Sequence, residues 1–288
     1  MLFGGIEAGG TKFVCAVGDA DGNVKERISI PTTVPEETMA EVISFFSNYD
    51  IKALGVGSFG PVDVDEKSPT FGTITSTPKL AWRNYPLVAE LQKAFPIPIG
   101  FNTDVNIAAL AEVTAGAAKG LDSCLYITVG TGIGAGAVVQ GKLLQGLSHP
   151  EMGHVLVRRH NDDHYKGKCP YHGDCLEGLA AGPAIEERWG EKGQHLHDRA
   201  EVWDLEAYYI AQALMQYILI LSPKKIILGG GVMKSESVIQ KIRDNVVELL
   251  NGYVVLPELT EYIVPPSLGD NAGVTGALII AGQASRHS

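Results

Sequence analysis

Ile6-Glu-Ala-Gly-Gly-Thr-Lys12 lies between two apolar, β-branched stretches, and its reading decides the fold. From Phe3 to Asp19 the pattern is strand, glycine turn, strand; Asp19-Ala-Asp-Gly22 then makes a hairpin turn, and Val24 to Ile30 can return as a third strand. The plan recurs at Cys124-Leu-Tyr-Ile-Thr-Val129, followed by the turn Gly130-Thr-Gly-Ile-Gly134, a strand from Ala135 to Gln140, a turn at Gly141 and another short strand. Such a tandem pair predicts two similar lobes whose turns face each other across a cleft, where a nucleotide would sit. Two unrelated β-hairpins would also carry turns of this kind.

Outward from these units, strands and helices alternate, which implies an α/β class. Thr38 to Asn48 has helical apolar spacing, Ala53-Leu-Gly-Val-Gly57 reads as a buried strand running into the turn Ser58-Phe-Gly-Pro-Val62, and Leu87 to Phe95 reads as a helix. Pro96 to Phe101 is a short strand ending at Asn102-Thr-Asp104, and Val105 to Ala118 is an alanine-rich helix. Helices are expected from Pro183 and from Asp204, a buried strand at Lys225-Ile-Ile-Leu228 before Gly229-Gly230-Gly231, and a final small-residue helix opened by Gly269 to Gly273. The expected lobes are 1–112 and 113–288, with a last helix, about 271–288, that can pack back on the first lobe.

The length of 288 residues agrees with two domains at roughly 150 residues each, and 45% hydrophobic content suffices for two cores. A formal charge of −10 repels nucleic acid and anionic lipid, so neither is expected as a partner. The N-terminus lacks the basic stretch, apolar core and cleavage site of a signal peptide, and Gln212 and Gln216 interrupt the most apolar helical stretch, Tyr208 to Leu221. A cytoplasmic location is expected. Four cysteines in a chain this long make no disulfide framework, and two of them cluster with histidines.

Glycines at strand ends let backbone N–H groups approach phosphate oxygens with no Cβ in the way, and a threonine hydroxyl adds a donor. Both Gly/Thr turns qualify, though either could be a plain tight turn. Neither has P-loop spacing, and Gly130-x-Gly132-x-Gly134 lacks the dinucleotide spacing and the following helix, so a Rossmann reading fails. Asp104, after an apolar strand and before a helix, is either the N-cap of that helix or a general base accepting the proton of an attacking sugar hydroxyl. Cys169-Pro-Tyr-His172-Gly-Asp-Cys175 brings three soft or borderline ligands together, and an upstream histidine completes a tetrahedron suited to zinc. His154, within Glu151-Met-Gly-His154, is one candidate for the fourth position; His149, His160 and His164 are others. With four protein ligands the metal would organise the loop. Glu151 and Glu177 bracket it as acceptors for sugar hydroxyls or as solvated charges.

Taken in order, these residues resemble the ROK family of bacterial sugar kinases, repressors and related proteins. The likeness runs through Ile6 to Lys12, Gly60-Pro-Val-Asp63, Asn102-Thr-Asp104, Gly130 to Gly134, Glu151-Met-Gly-His154, the Cys/His loop and Gly229 to Gly231. The opening Gly4-Gly-Ile-Glu-Ala-Gly-Gly-Thr-Lys12 looks most like the fructokinase branch. The resemblance implies two actin-like (ribonuclease H-like) lobes with a cleft between them, ATP-dependent phosphorylation of a hexose, fructose foremost, and a homodimer. It makes Asp104 the catalytic base and puts Gly60, Asn102, Glu151, His154 and Glu177 at the sugar. His154 becomes the fourth zinc ligand. Gly9, Gly10, Thr11 and Lys12, with Gly130, Thr131 and Gly132, would hold the ATP phosphates; Pro183 and the run Gly230, Gly231, Val232, Met233, Lys234 would flank the nucleoside.

Two departures from the family pattern stand out. Glu7 occupies the position of the aspartate that helps place Mg2+, and the metal loop has His172 where a cysteine is commoner. A kinase for mannose, glucose or an amino sugar is the alternative within the enzyme reading. A sugar-responsive transcriptional regulator is a second class, but such relatives carry a helix-turn-helix ahead of the first strand, which here begins at about Phe3. A zinc protein whose glycine turns are only turns is a third.

Overall fold

A computed structural model describes residues 1–286. Its contacts divide the chain into two units: Met1–Gly120 with Leu143–Pro150 and the segment from Leu268 onward, and Leu121–Lys142 with Glu151–Ser267.

In the first unit β1 (Leu2–Ala8) reverses through the glycine turn into β2 (Lys12–Gly18), the Gly9 N–H donating to the Lys12 carbonyl at 3.0 Å. β3 (Val24–Pro31), α1 (Pro35–Phe46), β4 (Ile51–Ser58), α2 (Leu87–Ala94), β5 (Ile99–Thr103) and α3 (Asp104–Ala115) follow. The sheet order is β3-β2-β1-β4-β5, antiparallel from β1 to β3 and parallel across β1, β4 and β5. One face buries Ile6, Phe13, Phe46, Trp82 and Leu91 in a single apolar cluster. Alternation along β1 explains it: Ile6 and Ala8 are fully buried there while Glu7 points the other way.

The second unit repeats the order. β6 (Cys124–Val129), β7 (Ile133–Val139), β8 (Lys142–Leu143), β9 (Ile226–Gly229) and β10 (Ile263–Val264) are arranged β8-β7-β6-β9-β10, with β6 antiparallel to β7 and parallel to β9. Its helices are α4 (Leu176–Ala180), α5 (Gly182–Trp189), α6 (Ala200–Leu221), α7 (Glu236–Leu250) and α8 (Leu259–Tyr262), with α6 and α7 packed on each other. No helix among the described residues is long and apolar enough to cross a membrane. The last helix, α9 (Ala272–Ala284), packs on β1, β4 and α3 of the first unit.

The chain is therefore α/β, with two five-stranded sheets of matching topology. The boundary expected at 112 falls inside the first unit. Glu112 is fully buried and accepts the Ala117 N–H at 2.6 Å, folding residues 116–118 back on the end of α3, so the chain stays with the first unit through Gly120. α4, α8 and β10 are too short to leave a periodic signal in the sequence.

Candidate functional site

In the first unit the parallel strands end level. Ala8 pairs with Ser58 and Ser58 with Thr103, so the glycine turn after β1, Gly60 after β4, and Asn102 and Asp104 at the end of β5 share one edge of the sheet. That carboxyl edge is where open α/β sheets gather ligand-binding groups. The capping alternative for Asp104 resolves in favour of its neighbour. Thr103 is the N-cap, its Oγ1 accepting the Asn106 N–H at 3.1 Å, while Asp104 is the first helical residue and its Oδ1 accepts the Val105 N–H at 2.8 Å. Asn102 is held from both sides: its Oδ1 accepts the Thr103 N–H at 2.9 Å and the Asn106 side-chain amide at 2.7 Å.

The first glycine turn has a neighbour that the sequence does not announce. A Cβ on Gly10 would lie 3.1 Å from Lys79 Cε, so a long excursion after β4 brings a lysine stem over the turn. The bridges Val62–Ile74 and Ile74–Tyr85, with the Trp82 indole N–H donating to the Thr33 carbonyl at 2.7 Å, help fix that path, and they are tertiary pairings. Thr11 and Lys12 are exposed beside it. Burial pushes the Glu7 carboxyl above its ordinary pKa, with Lys12 and Arg27 drawing it down and Asp270 raising it further.

In the second unit β6 and β9 also end level, Thr128 pairing with Gly229. The turn Gly130-Thr131-Gly132 and the run Gly230 to Lys234 therefore emerge side by side. Gly230 has φ +94°, and a Cβ there would sit 2.7 Å from the Val129 carbonyl carbon, so the approach of the two strand ends requires glycine. The N-terminus of α5 joins them: the Gly182 N–H donates to the Gly130 carbonyl at 2.7 Å, with Pro183 next in the first turn. Thus Gly130, Pro183 and Gly230, scattered in sequence, meet. Gly231 to Lys234 form a short 3-10 turn, with Val232 half-buried, Met233 buried and Lys234 exposed.

His154, Cys169, His172 and Cys175 bring their ligand atoms within 4.8 Å of one another. The Leu176 N–H donates to the Val155 carbonyl at 2.9 Å, which closes the loop against the His154 segment. The His154 Nδ1 lies 3.6 Å from Cys169 Sγ and 3.5 Å from Cys175 Sγ, and the His172 Nδ1 lies 3.6 Å from Cys169 Sγ. With Zn–S of ~2.3 Å and Zn–N of ~2.0 Å at tetrahedral angles, a sulfur–nitrogen edge is ~3.5 Å, so the donor set fits zinc. The other candidates for the fourth position are engaged elsewhere. His149 Nε2 accepts the Val62 N–H at 3.0 Å, His160 meets the Tyr208 ring edge-on, and His164 lines a cavity away from the cluster.

Glu151 precedes the turn that carries His154, and the His154 N–H donates to its carbonyl at 3.1 Å. The protein packed around the Glu151 carboxyl pushes its pKa up, His154 draws it down, and Glu177 adds to the rise. Its side chain nonetheless stays open to solvent. Glu177, at the start of α4, makes two contacts: its Oε1 lies 3.9 Å from His154 Nε2, and its Oε2 accepts the Ile133 N–H at 2.9 Å. Beneath the turn, the Tyr217 hydroxyl donates to the Met152 carbonyl. Nothing local in the sequence ties Tyr217 to that role. A separate cavity of about 880 Å3 near α6 and α7, lined by Asp162, Trp189 and Tyr208 among others, contains none of the residues expected at the sugar or the nucleotide.

The ROK family model matches residues 3–284. A Bacillus subtilis (strain 168) protein, provisionally named a fructokinase, is 62% identical over 98% of this chain and 96% of its own length. A fructokinase of Pediococcus pentosaceus is 45% identical over the whole of both chains. Among solved structures, a ROK glucokinase from Streptomyces griseus, in complex with glucose and AMPPNP, superposes with a TM-score of 0.81 at 26% identity, covering 98% of this chain and 100% of that one.

Proposed function

The chain belongs to the ROK family, and from that premise we propose that it transfers the terminal phosphoryl group of ATP to a primary hydroxyl of fructose, giving fructose 6-phosphate. The observation that carries the chemistry is Asp104 at the first helical position after β5, relieved of capping by Thr103. Phosphoryl transfer asks the protein mainly for position and charge, and one group must accept the proton of the attacking hydroxyl. Asp104 takes it, while Asn102 and Gly60 line the sugar from the same sheet edge. Gly9, Gly10, Thr11 and Lys12 donate to phosphate oxygens.

In the second unit Gly130, Thr131 and Gly132 do the same, and Pro183 with the run Gly230 to Lys234 leaves room for the nucleoside. Glu151 and the His154 Nε2 meet sugar hydroxyls. Magnesium enters with ATP as cosubstrate. Zinc, when held by His154, Cys169, His172 and Cys175, supplies a cross-link that fixes this loop, since four protein ligands leave no open position. We further propose a cytoplasmic homodimer, as the family resemblance implies; a single-chain mass by light scattering of the purified protein would contradict the dimer.

The test is a panel of hexoses with coupled ADP detection. Fructose is expected to give the highest kcat/KM. A preference for glucose or mannose would move the chain to the hexokinase reading, which the glucose-bound relative at 26% identity favours. In parallel, Asp104→Asn is expected to cut kcat by ~10²-fold or more with unchanged circular dichroism. Near-normal turnover in that folded variant removes the base assignment.

A further inference from the structure

We propose that Lys79 is a catalytic residue whose ammonium contacts the transferring phosphoryl group over the first glycine turn. The inference rests on the reading that Gly9 to Lys12 hold the phosphates of ATP. It adds to that reading a side chain, distant in sequence, that meets the γ-phosphoryl oxygens.

The turn leaves donors unused. The Gly9 N–H is taken by the Lys12 carbonyl at 3.0 Å, but the Gly10 and Thr11 N–H groups donate to no described residue. Lys79 joins them from the excursion after β4. Its Cε would lie 3.1 Å from a Cβ on Gly10, so the bare glycine lets the stem rest close to the turn. Lys52, Lys93, Lys168, Lys224 and Lys241 each meet a carboxylate, whereas the Lys79 ammonium has no carboxylate partner among the described residues. Lys12, the other lysine at this turn, acts on the buried Glu7 carboxyl.

The position of Lys79 is fixed by the same segment that fixes the turn. Leu80 to Trp82 form one 3-10 turn, and the Trp82 N–H donates to the Lys79 carbonyl at 2.9 Å. Trp82 is buried against Phe13 of β2, ring centroids 5.1 Å apart, and its indole N–H donates to the Thr33 carbonyl at 2.7 Å. The preceding residue, Thr32, is tied to the glycine turn twice: its N–H donates to the Thr11 carbonyl at 3.0 Å and its Oγ1 to the Gly9 carbonyl at 2.8 Å. The lysine and the two unused N–H groups are therefore held in register with each other.

In the transfer, the bond from the γ-phosphorus to the oxygen that leaves with ADP breaks, a bond to the sugar oxygen forms, and the hydroxyl proton passes to Asp104. Lys79 exchanges no proton. Its charge balances the γ-phosphoryl oxygens as the group moves, a contact worth most in the transition state. A point charge on a flexible four-carbon stem can follow that movement.

The experiment compares Lys79→Met, which keeps most of the stem without the charge, and Lys79→Arg with the parent. The readouts are kcat with fructose, circular dichroism, and calorimetric affinities for the magnesium complexes of ADP and AMPPNP. Lys79→Met is expected to lower kcat by ~10²-fold or more, the size of one lost transition-state donor. Its AMPPNP affinity should fall by ~10-fold while ADP, which lacks the γ-group, stays within ~2-fold. Lys79→Arg should recover at least ~10-fold of the lost kcat, because it restores the charge. A merely structural lysine would weaken both nucleotides alike.

A folded Lys79→Met variant with kcat within ~3-fold of the parent overturns the proposal. So does an equal loss of ADP and AMPPNP affinity, or an arginine variant no faster than the methionine one. If Lys79→Met loses its circular dichroism signal, Lys79→Gln is read against the same expectations. In each of these cases a parent that phosphorylates fructose keeps the kinase reading intact. A parent that phosphorylates no hexose, or binds neither nucleotide, overturns that reading and the Lys79 assignment with it.

Discussion

Glu112 accepts the Leu268 N–H through Oε1 at 3.1 Å from a fully buried position, while its Oε2 accepts the Ala117 N–H at 2.6 Å. One carboxylate thereby satisfies two backbone donors from segments far apart in sequence, and both lie where the chain leaves or re-enters the first unit. Glutamine has only one acceptor oxygen, so Glu112→Gln sets its NH2 against one of those N–H groups. The expected loss is ~1–3 kcal/mol of unfolding free energy, read from urea melts with an unchanged m-value. Equal midpoints for variant and parent would refute the double role.

Tyr217 supports the turn that carries Glu151 and His154 by donating to the Met152 carbonyl, and burial pushes its phenol pKa upward. Tyr217→Phe keeps the ring and leaves that carbonyl without its donor. A stability loss of ~1–3 kcal/mol is expected, together with a rise in sugar KM larger than any change in the KM of ATP. A parallel rise in both constants would show that the turn is not specifically a sugar element.

Glu206 is fully buried in α6, its Oε1 has no hydrogen-bond partner, and burial holds its carboxyl well above the usual pKa, with Arg188 opposing in part. The folded chain keeps this proton at pH values where the unfolded chain has released it. Stability contributed by the neutral carboxyl is therefore present below the unfolded value of ~4.3 and falls as pH rises toward the folded pKa. Glu206→Gln removes that dependence. The melting temperature of the variant, relative to the parent, should rise between about pH 5 and about pH 8. A difference that stays constant over the range would mean that the group titrates alike in both states.

Metal removal should expose how much of the second unit depends on the cluster. A zinc chelator is expected to lower the melting temperature and added zinc to restore it, the gain following ~2.7 kcal/mol at a hundredfold excess over Kd. Cys175→Ser, which replaces a buried member of the cluster, should abolish the response. A parent protein whose melting is indifferent to chelator contradicts a bound structural metal.

Much of this architecture is legible along the chain because its signals are local. Glycines at 9, 10, 130 and 132 between β-branched runs, the turn at Asp19 to Gly22, and Asp104 placed between a strand and an alanine-rich helix are each readable within a dozen residues. The Cys-x2-His-x2-Cys spacing is equally compact. Other features escaped for a shared reason. Lys79 over Gly10, Tyr217 under Met152 and the Leu268 N–H on Glu112 are partnerships between residues far apart in sequence, and no periodicity records them.

By itself, then, the sequence determined which segments turn, which extend and which residues have the chemistry to hold phosphate, zinc or a proton. Only the tertiary structure decided that Thr103 and not Asp104 caps α3, that His154 and not His149 lies with Cys169, His172 and Cys175, and that a Glu177 oxygen accepts the Ile133 N–H beside the second glycine turn. The physical reason is that a hydrogen bond or a ligand position belongs to whichever atom the packed backbone brings within about 3 to 4 Å, and strand register, not local propensity, sets that distance.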